Sequence, residues 1–177
     1  MKILFIFIMS LLCTCAYAND LQFQYISPSF NGNGYTAQVL GIEQIEEANK
    51  LLTYPYQLHG VVIEGDKLGR TLGFPTANLS LVDSDKLIPA SGVYAVTVQL
   101  IQQGEIRLEK GMMNIGYRPT VNGKERRIEV HIFSFDEDIY HQHIKVSMLN
   151  YTRKEMKFSG LDALIQQLND DKYQITK

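Results

Sequence analysis

Hydrophobic and polar residues alternate along much of the C-terminal two thirds of the chain, which is the pattern of strands with one buried face. The alternation is clearest in residues 94–100 and 127–133, which are also rich in β-branched and aromatic side chains. Further candidates are residues 58–63, 108–113 and 144–149. About six strands at this spacing predict a mainly β protein with a closed antiparallel barrel, because closure removes exposed sheet edges.

Two stretches show helical spacing of apolar positions instead. The first is a short N-terminal helix, and its positions are Ile42, Ile45, Ala48, Asn49 and Leu52. Pro55 should end it, because proline disfavours the helical conformation of the residue before it. The second is a C-terminal helix with apolar residues at Leu161, Leu164, Ile165 and Leu168. Ser159 and Asp162 form a capping-box-like start, and the apolar stripe is expected to lie on the barrel.

The N-terminus has the pattern of a secretory signal peptide over residues 1–18. Lys2 precedes an apolar run over residues 3–12, and Ala16-Tyr17-Ala18 supplies small residues for cleavage. The run is too short for a comfortable transmembrane helix, so no stable membrane span is expected. The protein is then expected to be exported, periplasmic or secreted, if the signal is genuine, and cytoplasmic otherwise.

Residues 19–41 are polar and turn-rich, and we expect a poorly ordered leader there. Residues 42–177 remain as one domain, since a chain of 177 residues has room for one core of ordinary size. Both cysteines, Cys13 and Cys15, lie within the signal-like segment. A net charge of −2 with no basic block argues against a nucleic-acid partner, and we expect a monomer.

The sequence GRTLGFPTAN at residues 69–78 is a candidate phosphate site. The glycines of this region are Gly65, Gly69 and Gly73. Glycines permit tight turns and leave backbone N–H groups open to an anion. Thr76 and Asn78 lie on one side of an extended segment, where their oxygens suit a magnesium ion. An ordinary loop that enters a strand uses the same residue types, so both interpretations remain open.

Glu129 is the candidate general base. Its neighbours Ile128 and Val130 belong on the buried face, so Glu129 and His131 share the opposite one. The alternative is a solvent-facing glutamate paired with Arg126 or Arg127.

Six short motifs, in order and at compatible spacing, resemble the signature of riboflavin kinases. They are GDKLGR at 65–70, GFPTAN at 73–78, PASGVY at 89–94, NIGYRPT at 114–120, IEVH at 128–131 and RKEMKF at 153–158. The similarity spans roughly residues 45–173. The riboflavin kinases that the chain resembles include the kinase module of bacterial bifunctional riboflavin kinase/FAD synthetases. It implies a six-stranded Greek-key barrel crossed by a C-terminal helix.

The resemblance also implies an activity and a set of roles. The activity is transfer of phosphate from ATP to the riboflavin 5′-hydroxyl, giving FMN and ADP with Mg²⁺ as cofactor. Glu129 corresponds to the catalytic base, and Thr76 and Asn78 correspond to ligands of magnesium and the ATP phosphates. The other nucleotide-side positions are Gly65, Lys67, Gly73 and Asn114, and the positions that close over the flavin are Arg153, Glu155 and Phe158.

Two departures from the family pattern accompany the resemblance. We expect no adenylyltransferase domain like that of the bifunctional enzymes before this module, so FAD synthesis is not implied. His141 stands where the family commonly has glycine after a tyrosine, and the loop there could fold differently. His141 and His143 could suggest a metal pair, but two histidines without a carboxylate or cysteine cluster do not specify a transition metal.

An exported, non-catalytic flavin- or nucleotide-binding module is the alternative to a kinase, because an exported kinase would meet little ATP. Joint retention of Thr76, Asn78 and Glu129 favours catalysis, since a pure binder has no need of a base.

Overall fold

Six antiparallel strands close into a barrel in the computed structural model, which describes residues 45–102, 105–120 and 123–177. The strands are β1 Tyr56–Ile63, β2 Ala77–Leu81, β3 Gly92–Gln102, β4 Glu105–Thr120, β5 Gly123–Ile132 and β6 His143–Arg153. The predicted signal peptide and leader lie outside the described residues. Ile45–Lys86 and Ser91–Lys177 form one compact unit, which contains the barrel.

The strand order is β1-β2-β5-β4-β3-β6, and it confirms the predicted mainly β closed barrel. Strands β3, β4 and β5 follow one another as neighbours, and β6 returns to pair with β3. This order is a Greek key. Each predicted strand range overlaps an observed strand. The remaining strand, β2, is short and begins within the GFPTAN motif.

Alternation along the strands divides the barrel into an inner and an outer face. In β3 the inward side chains Tyr94, Val96, Val98 and Leu100 are fully buried. Inward residues of other strands, such as Met113 in β4, complete this core. Because side chains alternate along a strand, the neighbours of these residues project outward, where any site on the barrel wall must lie.

The N-terminal helix α1, Ile45–Leu52, is attached to the barrel by the side chain of Asn49. The Asn49 amide donates to the carbonyl of Met148 at 2.8 Å and accepts from the Tyr56 N–H at 2.7 Å. Asn49 therefore links the helix to both β1 and β6. The helix ends before Pro55, as predicted, while the predicted position Ile42 lies outside the described residues.

The C-terminal helix α3, Leu161–Thr176, lies on the outer face of the barrel. It is the third described helix, after the single turn α2, Leu68–Thr71. The outer cluster consists of Phe74, Val93, Met112 and Phe133, and the helix residues packed on it are Ile165, Leu168 and Ile175. Within the described residues no helix is both long and apolar enough to cross a membrane.

Two details of the predicted start of α3 are wrong. The helix begins one residue later than a Ser159 cap requires, so Gly160 is the N-cap and no side chain caps the helix. Asp162 consequently occupies the second helical position instead of the third, which the capping box needs. Leu161 is 57% exposed, because the first turn extends past the apolar cluster.

His141 adopts the conformation that glycine would supply at its position. Its φ of 63° lies in the left-handed region. Its backbone N–H donates to the Val62 carbonyl at 2.8 Å, and the Val62 N–H donates to the Gln142 carbonyl at 3.0 Å. The loop is thus held to β1 by backbone bonds that do not depend on the histidine side chain.

We expect His141→Gly to raise the free energy of unfolding by up to about 1 kcal/mol, because a non-glycine residue pays for left-handed φ. Urea unfolding of the parent and the variant measures the difference. Gln142→Gly, next to it and without positive φ, should destabilise the protein. A His141→Gly protein less stable than the parent would show that the imidazole contributes more than the backbone strain costs.

Candidate active site

A cavity of about 470 Å³ lies on the outer face of the barrel beside α3. It is lined by most of the residues that the sequence motifs singled out: Lys67, Thr76, Asn78, Asn114, Glu129, Arg153, Glu155 and Phe158. Gly65 and Gly73 do not line it. Apolar side chains, including Val93, Leu164 and Leu168, form the rest of the wall.

A row of directly opposed residues runs across five strands and forms the floor of this cavity. Glu129 of β5 pairs with Asn78 of β2 on one side and Asn114 of β4 on the other. Asn114 in turn pairs with Val93, and Val93 pairs with Arg153. Opposed residues of antiparallel strands have their Cβ atoms about 5 Å apart on one face. Segments far apart in sequence therefore place a carboxylate between two amides.

Glu129 is half-buried in this row. Among the described residues no hydrogen bond or ion pair engages its carboxylate. Arg127 instead pairs with Asp66 at 2.7 Å and with Glu125 at 3.1 Å, and the Arg126 guanidinium lies 5.6 Å from the Tyr117 ring centre. The alternative of a glutamate paired with Arg126 or Arg127 does not describe the geometry. The carboxylate remains available as a proton acceptor.

The glycines before Asn78 serve the site through close packing more than through unusual backbone angles. Of the three, only Gly73 has a positive φ, 79°. A Cβ on Gly65 would overlap the side-chain amide of Asn78, and a Cβ on Gly69 would overlap the Phe74 carbonyl. The Phe74 N–H also donates to the Gly69 carbonyl at 2.8 Å. Gly65 therefore determines where the Asn78 amide lies.

Asp66 ties the loop between β1 and α2 to the neighbouring strands, a role that the motif alone did not reveal. Its carboxylate forms ion pairs with Arg118 of β4 and Arg127 of β5. Lys67, the next residue, has a left-handed φ of 59°, and its ammonium lies 3.4 Å from the Glu64 carboxylate. The Asp66 ion pairs thus hold the loop at the mouth of the cavity, and Lys67 lies beside the polar part of its wall.

Arg153 lines the cavity, and its charge is paired within the protein. Its guanidinium is bonded to Asp171 of α3, with Nη2 donating to Oδ2 at 2.7 Å. Glu155 lies against Gly116, where any Cβ would overlap its carboxylate. The Phe158 ring centre is 5.9 Å from the Arg153 guanidinium carbon. Asp171 was not identified from the sequence, although it lies seven residues after Leu164 and three after Leu168, on the apolar face of the helix; a carboxylate at such a position was the available signal.

His131 lines the cavity two residues after Glu129 and is 6% exposed. Its Nδ1 lies 2.7 Å from the Pro75 carbonyl, so this nitrogen carries the proton and donates it. Burial lowers the pKa of His131 below its ordinary value, and nearby Lys172 acts in the same direction. The neutral ring packs edge-on against Phe74 and Phe133. It thereby fixes the chain just before Thr76. In the sequence, the signal for His131 was its position two residues after Glu129, which places both side chains on one face of the strand.

The described residues contain no group of three or more His, Cys, Asp or Glu side chains placed to hold a metal ion. The oxygen donors that line the cavity include the Thr76 hydroxyl and the Asn78 amide. Such a donor set suits Mg²⁺ that arrives with a nucleotide, because Mg²⁺ keeps waters and takes few protein ligands beside phosphate oxygens.

Comparison with known proteins identifies the family of this chain. Residues 52–177 match the family model for riboflavin kinase, also called flavokinase. The chain belongs to the riboflavin kinase family. A bifunctional riboflavin kinase/FMN adenylyltransferase of Listeria monocytogenes is 46% identical over 129 residues, covering 72% of this chain and 40% of that protein. Its counterpart in Haemophilus influenzae is 43% identical over 134 residues, covering 76% and 42%.

A solved structure of a protein described as a macrolide-efflux protein from Streptococcus pneumoniae has a TM-score of 0.70 and 35% identity. The match covers 85% of this chain and 49% of that one. The chain spans about two fifths of the length of the curated relatives it matches. The family predicted from the motifs is confirmed, and the individual residue roles stay predictions.

Proposed function

We propose that this riboflavin kinase family member transfers the γ-phosphate of ATP to the 5′-hydroxyl of riboflavin, giving FMN and ADP. The observation that carries the proposal is the row in which Glu129 lies between Asn78 and Asn114 on the cavity floor. A carboxylate without an ion-pair partner among the described residues, set between two amides, suits removal of a proton from an alcohol.

In this mechanism Glu129 accepts the proton of the 5′-hydroxyl as its oxygen attacks the γ-phosphorus. The bond from that phosphorus to the bridging oxygen of ADP breaks, and the electron pair leaves with ADP. Asn78 and Asn114 flank the carboxylate and orient the reacting groups. Phosphoryl transfer depends mainly on placement and charge neutralisation, so a floor of fixed strand residues is well suited to it.

Thr76 and Asn78 would hold Mg²⁺ together with the nucleotide phosphates. The ion would neutralise charge on the phosphates when bound. Gly65 supports this role indirectly, because its missing side chain lets the Asn78 amide occupy its position. Lys67, at the same mouth, is placed to add positive charge near the phosphates.

Two adjoining cavities provide room for the two substrates. A second cavity of about 370 Å³ shares Thr76 with the first and includes Arg70 and Tyr140. Its lining also contains the acidic residues Asp136, Glu137 and Asp138, which would repel phosphates. We therefore assign the flavin to the first cavity, the phosphates to the Thr76 junction and the nucleoside end of ATP to the second. The apolar wall and Phe158 of the first cavity suit a flavin ring.

The test is an assay of the purified protein with riboflavin and Mg-ATP. FMN and ADP should form in equal amounts, and chelation of magnesium should stop the reaction. Riboflavin binding without FMN at any magnesium concentration would reject the kinase and support a non-catalytic flavin-binding module.

Where the protein resides in or outside the cell is a separate proposal. Export of a reporter fused to residues 1–19 would support the signal peptide.

A further inference from the structure

Asp171 is a carboxylate that the proposed reaction does not use, and it is 1% exposed. Arg153 Nε donates to both of its oxygens, at 2.9 and 3.0 Å, and Arg153 Nη2 donates to Oδ2 at 2.7 Å. Gln167 Nε2, one helical turn earlier, donates to Oδ1 at 2.9 Å. Within the part of the chain that the structure describes, these two side chains make all the hydrogen bonds to the Asp171 carboxylate.

A buried ion pair of this kind is weak evidence for stability. Removing two charges from water costs several kcal/mol, and apolar side chains often fill such a space at no loss. A guanidinium held by two oxygens of one carboxylate is, however, fixed in plane and direction. The consequence of the pair is therefore best sought in what Arg153 positions.

Arg153 is the last residue of β6 and the first of the segment 153–158, which forms one wall of the first cavity. Its Nη1 donates to the Lys154 carbonyl at 3.0 Å, and its guanidinium lies over the Phe158 ring at 5.9 Å. Glu155, Met156 and Phe158 all line the cavity. The guanidinium thus contacts both ends of this wall, and the Asp171 carboxylate of α3 holds the guanidinium in place.

We propose that Asp171 is a positioning residue for the flavin side of the site. Through Arg153 it fixes the segment 153–158 against the cavity, so that Glu155 and Phe158 meet the flavin in a preset geometry. The assignment of this wall to flavin rests on the proposed function. The ATP side, built from Thr76, Asn78 and the loop at Lys67, makes no contact with Asp171 in the bonds described.

Asp171→Asn tests the proposal, because it keeps the shape and removes the charge that fixes Arg153. We expect the KM and Kd for riboflavin to rise about tenfold, with kcat and the KM for ATP within about threefold of the parent. Quenching of riboflavin fluorescence gives the Kd independently of turnover. Asp170→Asn, at the exposed neighbouring position, is the matched control and should leave every value unchanged.

A double variant, Arg153→Gln with Asp171→Asn, completes a double-mutant cycle with the two single variants. Both charges disappear together, so no buried charge is left unpaired and the protein should fold. If Asp171 acts through Arg153, Asp171→Asn should add nothing to the effect of Arg153→Gln on riboflavin binding.

Parent-like riboflavin affinity in Asp171→Asn would overturn the proposal, as would equal losses for riboflavin and ATP. Loss of folding in both the single and the double variant would also overturn it, because the pair would then serve only the fold. A parent protein that binds riboflavin but makes no FMN would reject the proposed reaction, and the Kd comparison would still test Asp171.

Discussion

Glu129→Gln is expected to lower kcat for FMN formation by roughly two to four powers of ten, the usual loss when a general base is removed. Glutamine keeps the size and hydrogen-bonding capacity of the side chain between Asn78 and Asn114 but does not take up a proton. Riboflavin affinity should therefore change little. Steady-state FMN formation gives kcat, and fluorescence titration gives the affinity.

Glu109→Gln is the matched control. Glu109 is also a strand glutamate, but it bonds Arg107 at 2.5 Å and does not line either cavity. That variant should keep parental turnover. A Glu129→Gln protein within a few-fold of the parent would reject the base assignment, and one that does not fold would identify Glu129 as a structural strand residue.

Gly65→Ala is expected to lower kcat/KM for ATP by about a hundredfold, the cost of displacing a catalytic group by about an ångström. The added Cβ would overlap the Asn78 amide, so Asn78 must move away from its place beside Glu129. Riboflavin affinity should stay near the parental value, because the segment 153–158 is unaffected. Initial rates at varied Mg-ATP measure the effect.

Gly160→Ala distinguishes this local overlap from a general intolerance of glycine replacement. A Cβ at Gly160 meets no atom within 4 Å, and its φ of −178° is open to any residue. Catalytic constants should match the parent. Parental kcat/KM in Gly65→Ala would show that Asn78 tolerates displacement and that its assigned role is wrong.

The sequence predicted the barrel well, because alternation is a local signal. The inward residues of β3 and the outward placement of Glu129 follow from a period of two, and neither needs tertiary information. β2 escaped the strand prediction because five residues are too few to establish a period, and its first residues also form the GFPTAN motif.

The parts of the site that sequence could not supply depend on register and on helix rotation. That Asn78, Glu129 and Asn114 oppose one another is set by turn lengths and pairing across three strands, which a single sequence does not specify. Asp171 follows Asn169 and Asp170 and has the composition of an exposed helix end. Helical spacing from Leu164 and Leu168 does place it on the apolar face, but that its partner is Arg153 follows only from the docking of α3 on the outer cluster.

A crystal structure with riboflavin, ADP and magnesium bound is the most direct measurement of the central claim, that Glu129 deprotonates the flavin hydroxyl within the first cavity. We expect the riboflavin 5′-oxygen about 2.6–3.2 Å from a Glu129 carboxylate oxygen, with the ring beside Phe158. A ring bound in the second cavity, or a 5′-oxygen facing away from Glu129, would contradict it.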